Sequence, residues 1–377
     1  MNSVCVRSPG RINFIGEHID YIETYSCPAT IDHHNDITIL KTSGNSIRIY
    51  SDKFGDSKDI GFNQIYDLEK YDFSKFWYGY FIGILRALND KGIKITSGFE
   101  VKVVSNLADG AGLSSSASIE LGFLYGLNEL FSLSLSPIDM VKISKYSENK
   151  YMNAPCGILD QYTIMFGKKN CFLYLDYNEL THSFCSLPDD LKFFIIDTKI
   201  KHSIASEGYK SRIDQKNKIS DILQTNFKLS IREATIKSID DYKFYSDVIL
   251  KLDDSTLNKR FNHFVSETDR TMKFYQFIKE NNIEKAFNLL NQSHISLSSL
   301  YEVSTPEIDE LVFGIQNLPN VLGARMIGGG FGGSCLVVTK ENFDIGQLEN
   351  IVNKINKKYG LKIEFFEIKI DDSVHLL

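Results

Sequence analysis

The first segment able to do chemistry is Gly10-Arg11-Ile12-Asn13-Phe14-Ile15-Gly16-Glu17-His18-Ile19-Asp20-Tyr21. Arg11, Asn13, Glu17, His18 and Asp20 crowd a glycine-bounded stretch. Carboxylates and an imidazole held this closely can hydrogen-bond several hydroxyls of a sugar at once. Arg11 adds a permanent positive charge that can steady a phosphoryl group or a carboxylate. The same residues would also suit a solvated polar turn with a surface ion pair, and the stretch alone does not decide between the two.

A second segment, Gly110-Ala111-Gly112-Leu113-Ser114-Ser115-Ser116-Ala117-Ser118, lies between a strand pattern and an amphipathic helix pattern. Small residues let backbone approach an anion, and the unpaired N–H groups at a helix start point toward it. The serine hydroxyls supply further donors, or a ligand for Mg²⁺. No Lys-Ser/Thr pair follows the last glycine, so this is not a Walker A loop. The location favours phosphate binding over a plain serine-capped loop.

The third segment, Gly328-Gly329-Gly330-Phe331-Gly332-Gly333, contains G-x-G-x-x-G. A dinucleotide fingerprint must open a helix, whereas the residues that follow, Cys335–Thr339, read as a strand. A tight hairpin turn close to another backbone or a ligand is expected instead. In Asn153-Ala154-Pro155-Cys156-Gly157-Ile158-Leu159-Asp160-Gln161-Tyr162, Asp160 follows a Pro/Gly turn among apolar residues. It can serve as a base toward a hydroxyl or simply cap a helix. Asp197-Thr198-Lys199-Ile200-Lys201-His202-Ser203 leaves a buried-looking strand and enters a helix containing Tyr209.

The elements that position these groups follow from periodicity. Strands are expected at Asp36–Leu40, Ser46–Tyr50 and Phe99–Val104, rich in β-branched residues. Helices are expected over Lys75–Asn89, Ser115–Phe131 and Pro137–Lys150, with Pro137 in the first turn where a missing N–H costs nothing. Apolar runs at Cys171–Leu175 and Phe193–Ile196 precede a charged helical region from about Ser203 to Gln316. The close reads as strand Val321–Ile327, glycine loop, strand Cys335–Thr339, helix Leu348–Lys358 and strand Lys362–Ile370. This pattern predicts an α+β protein of two domains, 1–185 and 186–377.

A length of 377 residues is too great for one ordinary core, which also favours two domains. A net charge of −6 argues against a nucleic-acid partner without excluding a local phosphate site. Six scattered cysteines include no C-x-x-C pair, so free thiols are expected. The first residues lack the apolar core of a signal peptide, and no run approaches the ~18 apolar residues of a membrane span. A cytoplasmic monomer without a membrane partner is the expectation.

Taken in this order, the segments resemble the GHMP kinase superfamily, and within it the galactokinases, over most of the chain. GRINFIGEHIDY resembles the family signature, and GAGLSSSAS and GGGFGG its second and third motifs. PCGILDQY and DTKIKHSIASEGY resemble galactokinases rather than mevalonate or homoserine kinases. The resemblance implies an S5-like N-terminal domain and a ferredoxin-like C-terminal domain with the active site between them. It implies ATP-dependent phosphorylation of a sugar, galactose above all, at its anomeric oxygen. Asp160 matches the catalytic carboxylate that takes the hydroxyl proton, and Arg11 matches the arginine that offsets charge on the transferring phosphoryl group. Glu17, His18, Asp20, the Gly157 backbone and Tyr209 match positions that hold sugar hydroxyls. Gly110, Ala111, Gly112, Leu113, Ser114, Ser115 and Ser116 match the loop around the phosphates of ATP, and Ser116 and Glu148 match the Mg²⁺ ligands.

The chain departs from that pattern in two places that bear on the sugar. After Tyr21, the stretch Ile22-Glu23-Thr24-Tyr25-Ser26 replaces an Asn-x-Gly segment, and Lys201 stands where an arginine is usual. A kinase of a related sugar, such as N-acetylgalactosamine or another aldose, is therefore an alternative reading. A uronic acid is disfavoured because Glu17 stands where a cation would be needed. A non-catalytic sensor of sugar and ATP is a further alternative, disfavoured by the intact serine loop and by the presence of both Arg11 and Asp160.

Overall fold

The computed structural model describes residues 2–108, 110–154, 156–201 and 205–377. Pro155, His202, Ser203 and Ile204 of the motifs above, and the side chains of Lys201, Ala205, Ser206 and Glu207, lie outside the described residues. The chain opens with strands β1 (Ser3–Asn13), β2 (Tyr25–Ser26), β3 (Pro28–Lys41), β4 (Ser46–Ser51) and β5 (Asp56–Gly61). Helices α1 (Phe62–Ile65) and α2 (Gly79–Asp90) lead to β6 (Phe99–Ser105) and then to α3 (Ser115–Phe131), α4 (Pro137–Tyr151) and α5 (Leu159–Phe166). Strands β7 (Cys171–Asp176), β8 (Thr181–Ser186) and β9 (Leu191–Lys201) follow. A helical run comprises α6 (Ala205–Phe227), α7 (Ile231–Asp240), α8 (Tyr242–Leu252), α9 (Ser255–Lys279), α10 (Ile283–Ser299) and α11 (Pro306–Gln316). The chain closes with β10 (Val321–Ile327), β11 (Gly332–Lys340), α12 (Ile345–Tyr359), β12 (Glu364–Ile368) and β13 (His375–Leu376).

The strands form a six-stranded sheet in the order β13-β1-β3-β6-β4-β5, a four-stranded sheet β10-β11-β9-β12, and a small sheet β2-β7-β8. Alternation along β1 and β3 sends Val6, Ile37 and Ile39 into one core with Phe81, Leu121 and Val141 of the covering helices. Ile196, Met326 and Val337 of the second sheet pack with Leu311 and Leu348 in another. The last strand returns to the first sheet, where His375 pairs with Arg7. A sequential division near residue 185 therefore leaves one strand of the first sheet in the second half.

Motif-bearing β1 is fixed where the halves meet. Phe14, fully buried, sits among Phe172, Phe193, Phe274 and Phe287, with ring centroids 5.5–6.1 Å away. One of these rings comes from the first half of the chain and three from the second, so the signature segment is clamped by both.

Local expectations are met closely in most elements. Ser136 caps α4 by accepting from the Asp139 N–H at 3.2 Å, and Pro137 occupies the first turn. The third glycine segment is the hairpin turn between β10 and β11, so a strand follows it. Gly330 has φ +81°, and a Cβ there would lie 2.6 Å from the Val303 carbonyl oxygen, so only glycine fits this close backbone approach. Helix α2 starts at Gly79 rather than at residue 75, because Phe76–Tyr78 turn ahead of it and Trp77 stacks on Phe54 at 5.1 Å. All six cysteines are free. Among the described residues, no helix is long and apolar enough to cross a membrane.

Candidate active site

Three chain segments converge at the end of β1. Arg11 donates through Nε and Nη2 to both oxygens of Asp160, at 2.7 and 2.9 Å. Its Nη1 donates to the Gly112 carbonyl at 2.6 Å, tying the same guanidinium to the second motif. Asp160 sits in the first turn of α5 and uses its carboxylate on Arg11 instead of capping the helix. The two-point geometry fixes the carboxylate plane, which a lysine at position 11 would not do.

Ser114 precedes α3 in the left-handed region, at φ +59°, and makes no side-chain bond to the helix N-terminus. Its hydroxyl donates to Asp160 Oδ2 instead. The alternative of a simple serine cap is thus not what this residue does. The backbone of the loop stays next to β1, with the Arg11 N–H bonded to the Leu113 carbonyl at 3.1 Å. Gly110 and Ala111 enter the turn, while Ser115 and Ser116 begin α3. Farther along, the Ser116 hydroxyl donates to Glu148 Oε1 at 2.8 Å, and Gln161 donates to Glu148 Oε2 at 2.8 Å. Burial pushes the Glu148 carboxyl up, with the Ser116 hydrogen bond acting in the opposite sense.

Beside the Arg11–Asp160 pair lies a cavity of about 190 Å³. Glu17, His18, Asp20, Gly157 and Tyr209 all line it, together with Asp160. Burial lowers the His18 imidazole to about 3, so the ring is neutral, and its Nδ1 lies 3.1 Å from the Tyr21 hydroxyl. Tyr21, which lines the cavity, is in turn hydrogen-bonded to the buried Tyr301 of the second half. Burial pushes the Tyr209 phenol up, leaving a protonated donor at the cavity.

Gly157 stands against Asp20. A Cβ there would come 1.8 Å from Asp20 Oδ2, so any side chain must drive that carboxylate out of place. Gly157→Ala is expected to raise the KM for a substrate of this cavity about tenfold or more, as steady-state kinetics would show. Burial, then the charges of Glu17 and Asp160, push the Asp20 carboxyl up to about 6. Above that pH it is ionised and able to accept hydrogen bonds. Below it the carboxyl holds a proton and loses acceptor capacity. kcat/KM for a substrate of this cavity should fall as pH drops through about 6, and Asp20→Asn should abolish that limb.

Several supporting residues were not singled out from the sequence. Glu17 Oε1 accepts from Arg325 Nη2 at 2.9 Å and from the Gly328 N–H at 3.3 Å. Arg325, in the middle of β10, has no exposed surface. Its signal was available, since a charge inside an apolar strand requires a buried partner. Glu267 of α9 accepts from the backbone N–H groups of Gly16 and Glu17 at 3.0 and 3.3 Å, and from Ser293 at 2.7 Å. His263 Nε2 lies 3.1 Å from the Glu17 carbonyl oxygen. These contacts span about 250 positions, and no local pattern announces them. The Ile22–Ser26 stretch lies beside the cavity, and Glu23 lines an adjoining hollow with Asp20, Gly157 and Tyr209. Ile22 and Thr24 are buried away from the cavity, and Arg232 donates to the Glu23 carbonyl and to Asp176. None of these five residues is among those lining the cavity.

A second cavity of about 190 Å³ adjoins the α3 end of the loop, lined by Phe54, Trp77, Tyr80, Ser115 and Ser116.

The fold defines the class. Family models described as "GHMP kinases N terminal domain" and "GHMP kinases C terminal" match residues 79–168 and 274–359. A model described as "Galactokinase galactose-binding signature" matches residues 2–39. Mevalonate kinase shares the fold alone, at a TM-score of 0.63 and 19% identity over 98% of this chain and 99% of that one.

The galactokinase of Thermotoga petrophila is 33% identical over 98% of this chain and 99% of its own length. That of Limosilactobacillus fermentum is 36% identical over 98% and 94%. The crystal structure of Lactococcus lactis galactokinase complexed with galactose superposes with a TM-score of 0.90 at 30% identity, covering 100% of this chain and 95% of that one. The chain belongs to the galactokinase family of GHMP kinases, sugar kinases that transfer phosphate from ATP to a hydroxyl.

Proposed function

We propose that the chain transfers the γ-phosphoryl group of ATP to the anomeric oxygen of galactose, with Asp160 as base. The observation that carries this reading is the bidentate Arg11–Asp160 pair, placed between the polar cavity and the serine loop. Galactose occupies the cavity with O1 toward Asp160. Asp160 takes the O1 proton as O1 bonds to the γ-phosphorus, the bond from that phosphorus to the β-bridging oxygen breaks, and ADP leaves. Arg11 offsets the charge that develops on the transferring group. The protein's share is mainly positioning and electrostatics, which suits a site without a covalent nucleophile.

Gly110–Ser116 wraps the phosphates, and the base lies in the adjoining aromatic cavity beside Trp77 and Phe54, which shares Ser115 and Ser116 with the loop. Ser116 and Glu148 fit Mg²⁺, because a hydroxyl and a carboxylate are hard oxygen donors already 2.8 Å apart. When bound, the ion would neutralise charge on the β- and γ-phosphates. Glu17, not Arg325 behind it, lines the sugar cavity, which supports a neutral hydroxyl over a carboxylate at that end.

An ATP-consumption assay over a panel of free sugars tests the substrate. Galactose is expected to turn over at least about tenfold faster than glucose or N-acetylgalactosamine at equal concentration, a margin of about 1.4 kcal/mol in transition-state binding. Preference for either of the others would overturn galactose as the substrate while leaving the kinase intact.

A further inference from the structure

Asn13 lies two residues beyond Arg11 on β1, on the same face of the strand, and lines the sugar cavity. The residue is only 3% exposed. Neither its Nδ2 nor its Oδ1 has a hydrogen-bond partner. Because both ends of the amide are orphaned, exchanging O and N by a flip changes nothing.

Leaving an amide buried and unpaired costs its full desolvation, and native folds seldom tolerate it without a use. Two nearby polar atoms, Arg325 Nη1 and His18 Nε2, are likewise buried without a partner, while the others are engaged. Arg325 donates to the Asn13 and Phe14 backbone carbonyls and to Glu17, and the Gly328 N–H donates to Glu17. The cavity, which both Asn13 and His18 line, is where a ligand can supply the missing partners.

A partner for Asn13 must both accept and donate. A phosphoryl oxygen only accepts, so it would satisfy Nδ2 and leave Oδ1 orphaned. Neighbouring hydroxyls of a sugar satisfy both ends. We infer that Asn13 is a further substrate-contacting residue, whose side-chain amide hydrogen-bonds hydroxyls of the bound sugar. The inference rests on the sugar-kinase reading above and adds a contact that sets selectivity.

The test measures galactose binding to the full-length protein by calorimetry, alongside steady-state kinetics, for the wild type, Asn13→Ala and Asn13→Ser. The expected result is a rise of about tenfold in the galactose Kd for Asn13→Ala. The KM for ATP should hold. In a monodeoxygalactose series, at least one sugar lacking the contacted hydroxyl should bind the wild type and the variant alike, which a merely structural role would not produce. An unchanged galactose Kd would overturn the inference, as would an equal loss for every deoxysugar. A fall in kcat with an unchanged sugar Kd would also overturn it, by moving the contact to the phosphoryl group. If Asn13→Ala does not fold, the same comparison is read from Asn13→Ser. A wild type that phosphorylates no sugar would instead defeat the functional reading, which keeps the two failures distinct.

Discussion

Asp160→Asn is expected to lower kcat by about two to four orders of magnitude while leaving the galactose KM within a few-fold of the wild type. The asparagine keeps the size of the side chain and one acceptor for Arg11, but it can take no proton from the sugar hydroxyl. The Arg11–Asp160 pair is part-exposed, with side chains 12% and 29% accessible, so the global fold should tolerate the change. A split in which kcat collapses and KM holds marks a group acting in the transition state. Steady-state kinetics with circular dichroism would check it, and undiminished turnover would remove Asp160 as the base.

Arg325→Met is expected to cost about 3–5 kcal/mol of stability, because it strands the Glu17 carboxylate in a buried site. The guanidinium donates to the Phe14 carbonyl at 2.7 Å and to Glu17 at 2.9 Å, and it also bonds the Asn13 carbonyl, so three acceptors lose a partner at once. Methionine fills much of the volume, which separates the loss of charge from the opening of a cavity. Adding Glu17→Leu to Arg325→Met should recover part of the stability, since an apolar pair in place of a buried ion pair is close to neutral. The double variant should remain defective in sugar binding. Denaturant unfolding provides the measurement, and a single variant as stable as wild type would mean that Arg325 does not support the cavity.

Much of this architecture was legible in the sequence because it depends on local period and local turn chemistry. The spacing that predicts α3 at Ser115–Phe131 and β10 at Val321–Ile327 reproduces both ranges. The strand after the third glycine segment excluded a dinucleotide fold before any coordinates were needed. The start of α2 was less legible, since the helical spacing of Trp77, Phe81, Leu85 and Leu88 runs back into a turn at Phe76–Tyr78, where Trp77 stacks on Phe54.

The site divides in the same way. Residue types marked Arg11, Glu17, His18, Asp20 and Asp160, the resemblance to galactokinases added Gly157 and Tyr209, and the structure gathers all of them around one cavity. What local reading could not supply was the function of each atom. Ser114 belongs by position to a phosphate loop, yet its hydroxyl reaches Asp160. Glu267 and Arg325 hold the Gly16–Glu17 turn from more than 240 positions away, through contacts that exist only after the two halves pack. The Ile22–Ser26 stretch looked like a selectivity element because of its place in sequence. The chain turns there, burying Thr24 against Thr268 at 3.2 Å, while Glu23 faces a hollow it shares with Asp20, Gly157 and Tyr209.

The most direct test of transfer to the anomeric oxygen is phosphorus and proton NMR of the product formed from ATP and galactose. The expected product shows phosphorus coupled to the anomeric proton of α-galactose 1-phosphate, formed by the wild type and nearly lost with Asp160→Asn. Phosphorus coupled instead to the C6 protons, or binding of both substrates without any sugar phosphate, would contradict the account.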